Sequence, residues 1–453
     1  MEYEATEVIL KGDARGLVVN IPTATIVSTQ FHFRAGSRFV EDHRTKWETA
    51  HIMEHMAFGA NGKFKTAQDF DADFTKNGAY HNAYTSDTAM AYVAECADFE
   101  WDRILELQRD AICEPRFKRD EFDGEYGNVK SELTGYLSQP NRVLWPKLAQ
   151  EIGEDTLTYP ERLELMPKIR LIDIKNHYEA THTRGNMRFV IAGNFTGRMT
   201  RLKEILESFE LPDGERLPMP VDELHSFEPF AIRRKDVPAI TFGWTMNVPR
   251  RLSDDETEAM GMLDHILSGT MHSRILGEAR RKGLIYYLWS ETTAYEHNSS
   301  WDFGADVNED KVEELFEIIV REVDRIISGE ISDEEIEAAK SYALGRHQMG
   351  IQTVGQMNSW LADRYFMDGR IENFNDQPNK IRSITRERIV AAAKEFIDSN
   401  QWGIGVYGNT NKALAEKLQE KLKILFEQKT DTLPVSLRGV SRSNPVISKK
   451  GEL

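Results

Sequence analysis

The sequence predicts an α+β fold of two homologous domains, each a mostly antiparallel sheet with helices packed on one face. Three observations predict it: the 453-residue chain repeats itself, a proline-rich stretch divides it near the middle, and each half mixes strand-like and helix-like segments. HIMEHMAFG, beginning at His51, lies over GMLDHILSG, beginning at Gly261, at an offset of 210. That offset sets His55 on His265, Glu54 on Asp264 and Gly59 on Gly269, and it sets Lys130, Ser131 and Glu132 on Lys340, Ser341 and Tyr342. Slightly larger offsets match Pro167, Ile169 and Arg170 with Pro378, Ile381 and Arg382, and RFVIAGNFTG with WGIGVYGNTN. Four blocks that keep their order and nearly their spacing exceed what two unrelated helical stretches share. Pro212, Pro218, Pro220 and Pro229 fall in the polar stretch between the copies, which reads as a linker. The expected division is therefore 1–211, a linker at 212–229, and 230–453.

The elements follow in chain order. Residues 18–36 alternate apolar with polar or small residues and are rich in Val, Ile, Thr and Phe, which suits strands with one buried face. Residues 42–58 contain good helix formers and no interior Pro or Gly, and 98–109 and 119–151 are charged and helical in period. RFVIAGNF, from Arg188, reads as a short buried strand ended by Gly193. The second copy repeats the pattern: a strand at 239–248, a helix at 253–269 with Ser253 as N-cap and Glu256 three residues on, and a closing strand at 404–409.

Composition narrows the function. There are 74 acidic against 57 basic side chains, a net charge of −17, which disfavours nucleic acid and anionic lipid and favours basic or neutral partners. Two cysteines, Cys96 and Cys113, make no disulfide framework, and no run is long and apolar enough to span a membrane. The acidic N-terminus lacks the basic segment of a secretory signal, so the expectation is a soluble cytoplasmic chain without nucleic-acid or membrane partners.

The chemistry concentrates at His51 and His55. Four residues apart on an expected helix, their imidazoles project one turn apart and can grip one divalent ion. Glu54 lies at i+3 from His51, where a carboxylate can take a proton from water without joining the ligands. This is the inverted H-x-x-E-H order of zinc peptidases. A third ligand must come from elsewhere in the fold, and Glu132 follows His55 after 76 intervening residues in a helical segment. Glu125 lies two turns earlier on the same face, so one of the two can ligate while the other supports the site or lies near the water. In the second copy Gly261 and Tyr342 replace His51 and Glu132, so that copy lacks a ligand set and His265 reads as a packed histidine.

These residues resemble the M16 metallopeptidase family, which includes insulinase, pitrilysin and mitochondrial processing peptidase, and its short-subunit branch in particular. The resemblance extends through GSRFVEDHRTKWETAHIMEHMAF, NGAYHNAYTSDTAMAYVAE and GNMRFVIAGN, and into the second half at HSRILGEARRKGLIYYLWS. It implies a zinc-dependent endopeptidase of extended or unfolded peptides, with one Zn²⁺ per chain on His51, His55 and Glu132. Glu54 would activate water and Glu125 would support the site. Asn82 and Ala83 would pair with substrate backbone from an edge strand, and Arg280 with Tyr286 would serve catalysis by binding substrate near the scissile bond, the tyrosine as a candidate to stabilise the oxyanion. Tyr287 is adjacent, and which tyrosine acts stays open. The same resemblance implies subunits that face one another around a chamber. A homodimer is the simplest expectation, and a heterodimer with a related subunit is the alternative. The rival function is a non-catalytic scaffold or peptide-binding subunit, which would dispense with the ligands.

Overall fold

The computed structural model of the protein describes residues 2–427. The last residues of the expected second domain, 428–453, lie outside the described residues. Six strands form the first sheet: β1 (Glu4–Ile9), β2 (Arg15–Asn20), β3 (Ile26–Phe33), β4 (Tyr80–Thr85), β5 (Met90–Ala97) and β6 (Arg188–Gly193), in the order β1-β2-β6-β3-β5-β4. Five form the second: β7 (Phe230–Arg233), β8 (Ala239–Val248), β9 (Ile285–Ala294), β10 (Ser299–Asn308) and β11 (Gln401–Gly408), in the order β7-β11-β8-β10-β9. Only β2–β6 and β7–β11 pair in parallel, so both sheets are mostly antiparallel, as the repeat leads one to expect. Residues 209–229 between them carry neither helix nor strand.

Several expected elements are divided. The strand region at 18–36 breaks between Asn20 and Ile26, around Pro22, which has no N–H for a ladder. The helix at 42–58 becomes His43–Lys46 and Thr49–His55. The stretch 119–151 becomes Arg119–Tyr136 and Pro140–Ile152, with Pro140 in a first turn, where a missing N–H costs nothing. In the second copy Ser253 and Glu256 form the capping box of Asp254–Asp264, and a π turn follows at His265–Gly269.

Each half packs its own helices on one face of its sheet, and one helix from the other half covers the opposite face. Phe189 and Ile191 of β6 join the helical core of the first half, while Val190 and Ala192 point the other way. They pack there, with Leu17 and Val19, against Met357, Leu361 and Ala362 of the helix Val354–Asp368. Three polar contacts orient that helix: Asn358 Nδ2 donates to Ser28 Oγ at 3.0 Å, Gln30 Nε2 to Ser359 Oγ at 2.9 Å and Tyr365 O–H to Glu7 Oε1 at 3.0 Å. In return, Leu144, Leu148 and Ile152 of Pro140–Ile152 pack with Phe227 and Tyr407 beside β8 and β11 of the second sheet. Gly243 of β8 admits this helix closely, since a methyl there would lie 2.4 Å from Leu148 Cδ1. The exchange means that neither half completes its core alone, although the sheets follow the sequence repeat.

Among the described residues no helix is long and apolar enough to cross a membrane. Cys96 and Cys113 form no disulfide, and burial pushes each thiol up to about 12.

Candidate metal centre

The short helix Thr49–His55 is held by its apolar side, where Ile52 and Met53 are fully buried in the first core. That anchorage turns His51 and Glu54 toward a cavity of about 310 Å³ that Glu132, Ala83 and Thr85 also line, with His55 one turn on from His51. The two imidazoles stand 4.9 Å apart between ring centres. Glu132 comes from Arg119–Tyr136, and its Oε2 lies 3.7 Å from His51 Nε2 and 3.5 Å from His55 Nε2. Among the described residues these three side chains form the one group whose donor atoms could hold a metal, all within 4.8 Å of one another.

The atoms behind the donors decide whether a metal fits. His51 Nδ1 lies 2.8 Å from Glu48 Oε2, and His55 Nδ1 lies 3.0 Å from Glu125 Oε2. With each Nδ1–H donating to a carboxylate, both Nε2 lone pairs face Glu132. Two oriented imidazole nitrogens and one carboxylate, at spacings near the roughly 3.3 Å that ~2 Å bonds in a tetrahedron require, suit zinc better than an oxygen-seeking ion such as magnesium. Burial opposes charging His51, but Glu48, Glu54 and Glu132 outweigh it and raise its pKa. The same carboxylates would favour a bound cation.

Glu54 sits 3.9 Å from His51 Nε2, beside the three ligand candidates and outside their group. Burial pushes its carboxyl upward against the pull of His55 and His51. That placement suits a group that exchanges protons. Glu125 contacts His55 Nδ1 and accepts from Asn128 Nδ2 at 3.0 Å, so it orients a ligand candidate from behind.

Three further contributors escaped sequence reasoning. Glu48 precedes the motif by three residues, its side chain is almost fully buried, and Arg162 lies 3.7 Å from its Oε1. Tyr136, four residues after Glu132, donates its O–H to Glu132 Oε1 and leaves Oε2 toward the histidines. Burial and the Glu132 hydrogen bond push that phenol up to about 12. Arg162 ties the outer layer together, with Asp87 at 3.6 Å and the Trp47 and Tyr159 rings at 5.2 and 5.0 Å. The signals available were helical spacings, i−3 from His51 and i+4 from Glu132. Because Glu48 both orients His51 and adds charge near the cation, Glu48→Gln is expected to weaken zinc retention by about 10–100-fold, read by competition with a chromogenic chelator.

The remaining expected residues divide. β4 pairs with β5 alone and is an edge strand. Ala83 faces the centre, whereas Asn82, one residue away, lines a separate cavity of about 740 Å³ on the other face. Arg280 lies against Tyr286, with the guanidinium 4.3 Å from the ring centre and Nη1 donating to the Tyr286 carbonyl at 2.6 Å. Tyr286 and Tyr287 are 84% and 60% exposed. None of these three lines the cavity at His51. In the second copy the ring of Tyr342 stacks on His265 at 3.8 Å, so an aromatic pair occupies the place of the Glu132–His55 contact. Asp264, at the place of Glu54, is half-buried; desolvation pushes its carboxyl up to about 7, and it accepts from Trp301 Nε1 at 3.0 Å.

Residues 16–159 match the family model described as insulinase (peptidase family M16), and residues 168–342 match the peptidase M16 inactive domain. A Rickettsia felis protein named as an uncharacterized zinc protease is 24% identical over 402 residues, covering 86% of this chain and 94% of the relative. The Neurospora crassa mitochondrial-processing peptidase subunit beta is 23% identical over 330 residues, covering 68% of this chain and 67% of the relative. In fold, the chain is similar to a protease from Helicobacter pylori, with a TM-score of 0.78 at 18% identity, covering 90% of this chain and all of that one. A chain of complex III2 from Candida albicans has the same TM-score at 12% identity, covering 92% of this chain and all of that one. Matched by M16 models in both halves, the chain belongs to the M16 peptidase family.

Proposed function

We propose that the protein is a zinc-dependent endopeptidase of extended or unfolded peptides, with 1–211 as the zinc-binding part and 230–453 as a part without ligands. The observation that carries this reading is the convergence of His51 Nε2, His55 Nε2 and Glu132 Oε2, with each Nδ1 anchored on a carboxylate and Glu54 beside them. Zinc held there supplies Lewis acidity toward a peptide carbonyl and makes water in the site easier to deprotonate. Glu54 takes a proton from that water as its oxygen bonds to the carbonyl carbon, and returns it to the amide nitrogen as the C–N bond breaks. The free edge of β4 pairs with an extended substrate backbone, which favours unfolded chains. Arg280 and Tyr286 enter as substrate-binding groups presented outside the His51 cavity. A second subunit, a copy of this chain or a related one, would enclose the site.

The ligand set weighs against a scaffold role, because the second copy shows that this fold stands without His51 and Glu132. The test is a pool of unfolded peptides incubated with the protein, with and without a zinc chelator, and read by mass spectrometry. Cleavage that stops with chelator and returns with added zinc is expected. Cleavage indifferent to chelator, or none from zinc-loaded protein, would contradict the proposal.

A further inference from the structure

One cation in the cavity has no role in the chemistry above. Arg142, near the start of Pro140–Ile152, lines the cavity together with His51, Glu54 and Glu132. Its Nη1 donates to the Tyr159 hydroxyl at 3.3 Å, and its guanidinium stands 4.4 Å from the centre of the Tyr136 ring. Two aromatic side chains thus hold the charge in place, and among the described residues it forms no ion pair. The neighbouring carboxylate is occupied: Glu132 Oε1 accepts from Tyr136 and Oε2 faces the histidines. Arg162, the other cation lining the cavity, is engaged with Glu48, Asp87 and the Leu157 carbonyl. A guanidinium carries five N–H donors, so Arg142 retains a fork free for a planar anion.

We propose that Arg142 is a binding site for a carboxylate of the peptide substrate, close to the bond to be cleaved; the proposal rests on the peptidase reading. An Asp or Glu side chain or a peptide C-terminus would supply that group. The net charge of −17 favours basic peptides at long range, but salt screens that field within about 10 Å, and a charge-assisted pair decides at contact. Pairing with β4 sends only alternate substrate side chains toward Ala83 and Thr85, so preference for an internal acid falls at one fixed place.

The experiment uses zinc-loaded full-length protein carrying Glu54→Gln, so that bound peptides persist. Fluorescence anisotropy is read for a set in which one Glu walks along an otherwise neutral, amidated peptide. A parallel set carries Gln at each place, and one neutral peptide has a free C-terminus. The expected ratio of Kd, Gln over Glu, is about ten at one position, falling to about one when Arg142→Gln is added. With Arg142→Glu, Lys becomes favoured at that position. If only the free C-terminus gains about tenfold, Arg142 holds the terminal carboxylate. Ratios near one throughout overturn the proposal whether or not the parent protein cleaves peptides. Loss of zinc from Arg142→Gln, with all peptides weakened alike, also overturns it, since Arg142 would then act through Tyr136 and Glu132. A ratio near ten in a protein that cleaves nothing keeps the Arg142 site and removes the peptidase reading.

Discussion

Glu54→Gln is expected to lower peptide hydrolysis by about 10²–10⁴-fold while one zinc per chain remains bound. The substitution keeps the shape of the side chain and removes its capacity to accept a proton. His51, His55 and Glu132 are untouched, and Glu54 lies outside the group they form. Burial raises the Glu54 carboxyl in the folded protein, in the direction that brings a carboxylate base nearer to neutral pH. The measurement is turnover of an unfolded peptide beside elemental analysis of the same sample. Turnover near the parent value would place the proton transfer elsewhere.

Glu132→Gln is expected to act on the metal first and on turnover through it. The change removes the one anionic ligand candidate facing both histidines, at 3.7 and 3.5 Å from their Nε2 atoms. Zinc retention should fall by more than the roughly 10–100-fold typical of an outer partner such as Glu48. Tyr136 gives this prediction a second edge. Its O–H donates to Glu132 Oε1 and remains to hold an amide in place, so the loss is one of charge and not of position. Competition titration with a chelator of known affinity checks it. Retention equal to that of the parent would exclude Glu132 as a ligand.

The motif was legible because the chemistry is written along one turn of helix. The i, i+4 spacing of His51 and His55, with Glu54 between, needs no tertiary knowledge. Spacing after His55 pointed to Glu132, and comparing the two copies supported it, since Gly261 and Tyr342 mark the places where the scaffold does without ligands. Glu48 escaped because it lies outside the motif, before the helix that carries it, and an i−3 spacing from His51 does not by itself mark a hydrogen-bond partner. Arg142 and Arg162 reach the cavity from separate helices, Pro140–Ile152 and Tyr159–Leu165, so only the folded chain brings them together. The helix exchange was hidden for a related reason. The unbroken apolar run of β6 says that both faces are buried, but periodicity does not say what covers them. The cover for Val190 and Ala192 comes from Met357 and Leu361, in the other half of the chain. Arg280 and Tyr286 show the converse: the resemblance grouped them at the scissile bond, the fold lays the guanidinium against the Tyr286 ring, and spacing carries no information about whether they face the metal centre.

The central claim is that one zinc ion is held by His51, His55 and Glu132, in the first half alone. Anomalous diffraction from crystals of the full-length protein, recorded on both sides of the zinc absorption edge, tests it most directly. The account predicts a single anomalous peak per chain, bonded to His51 Nε2, His55 Nε2 and a Glu132 oxygen at about 2.0–2.2 Å. A zinc-loaded crystal with no peak there, or with a peak of equal height beside His265 and Tyr342, would contradict it.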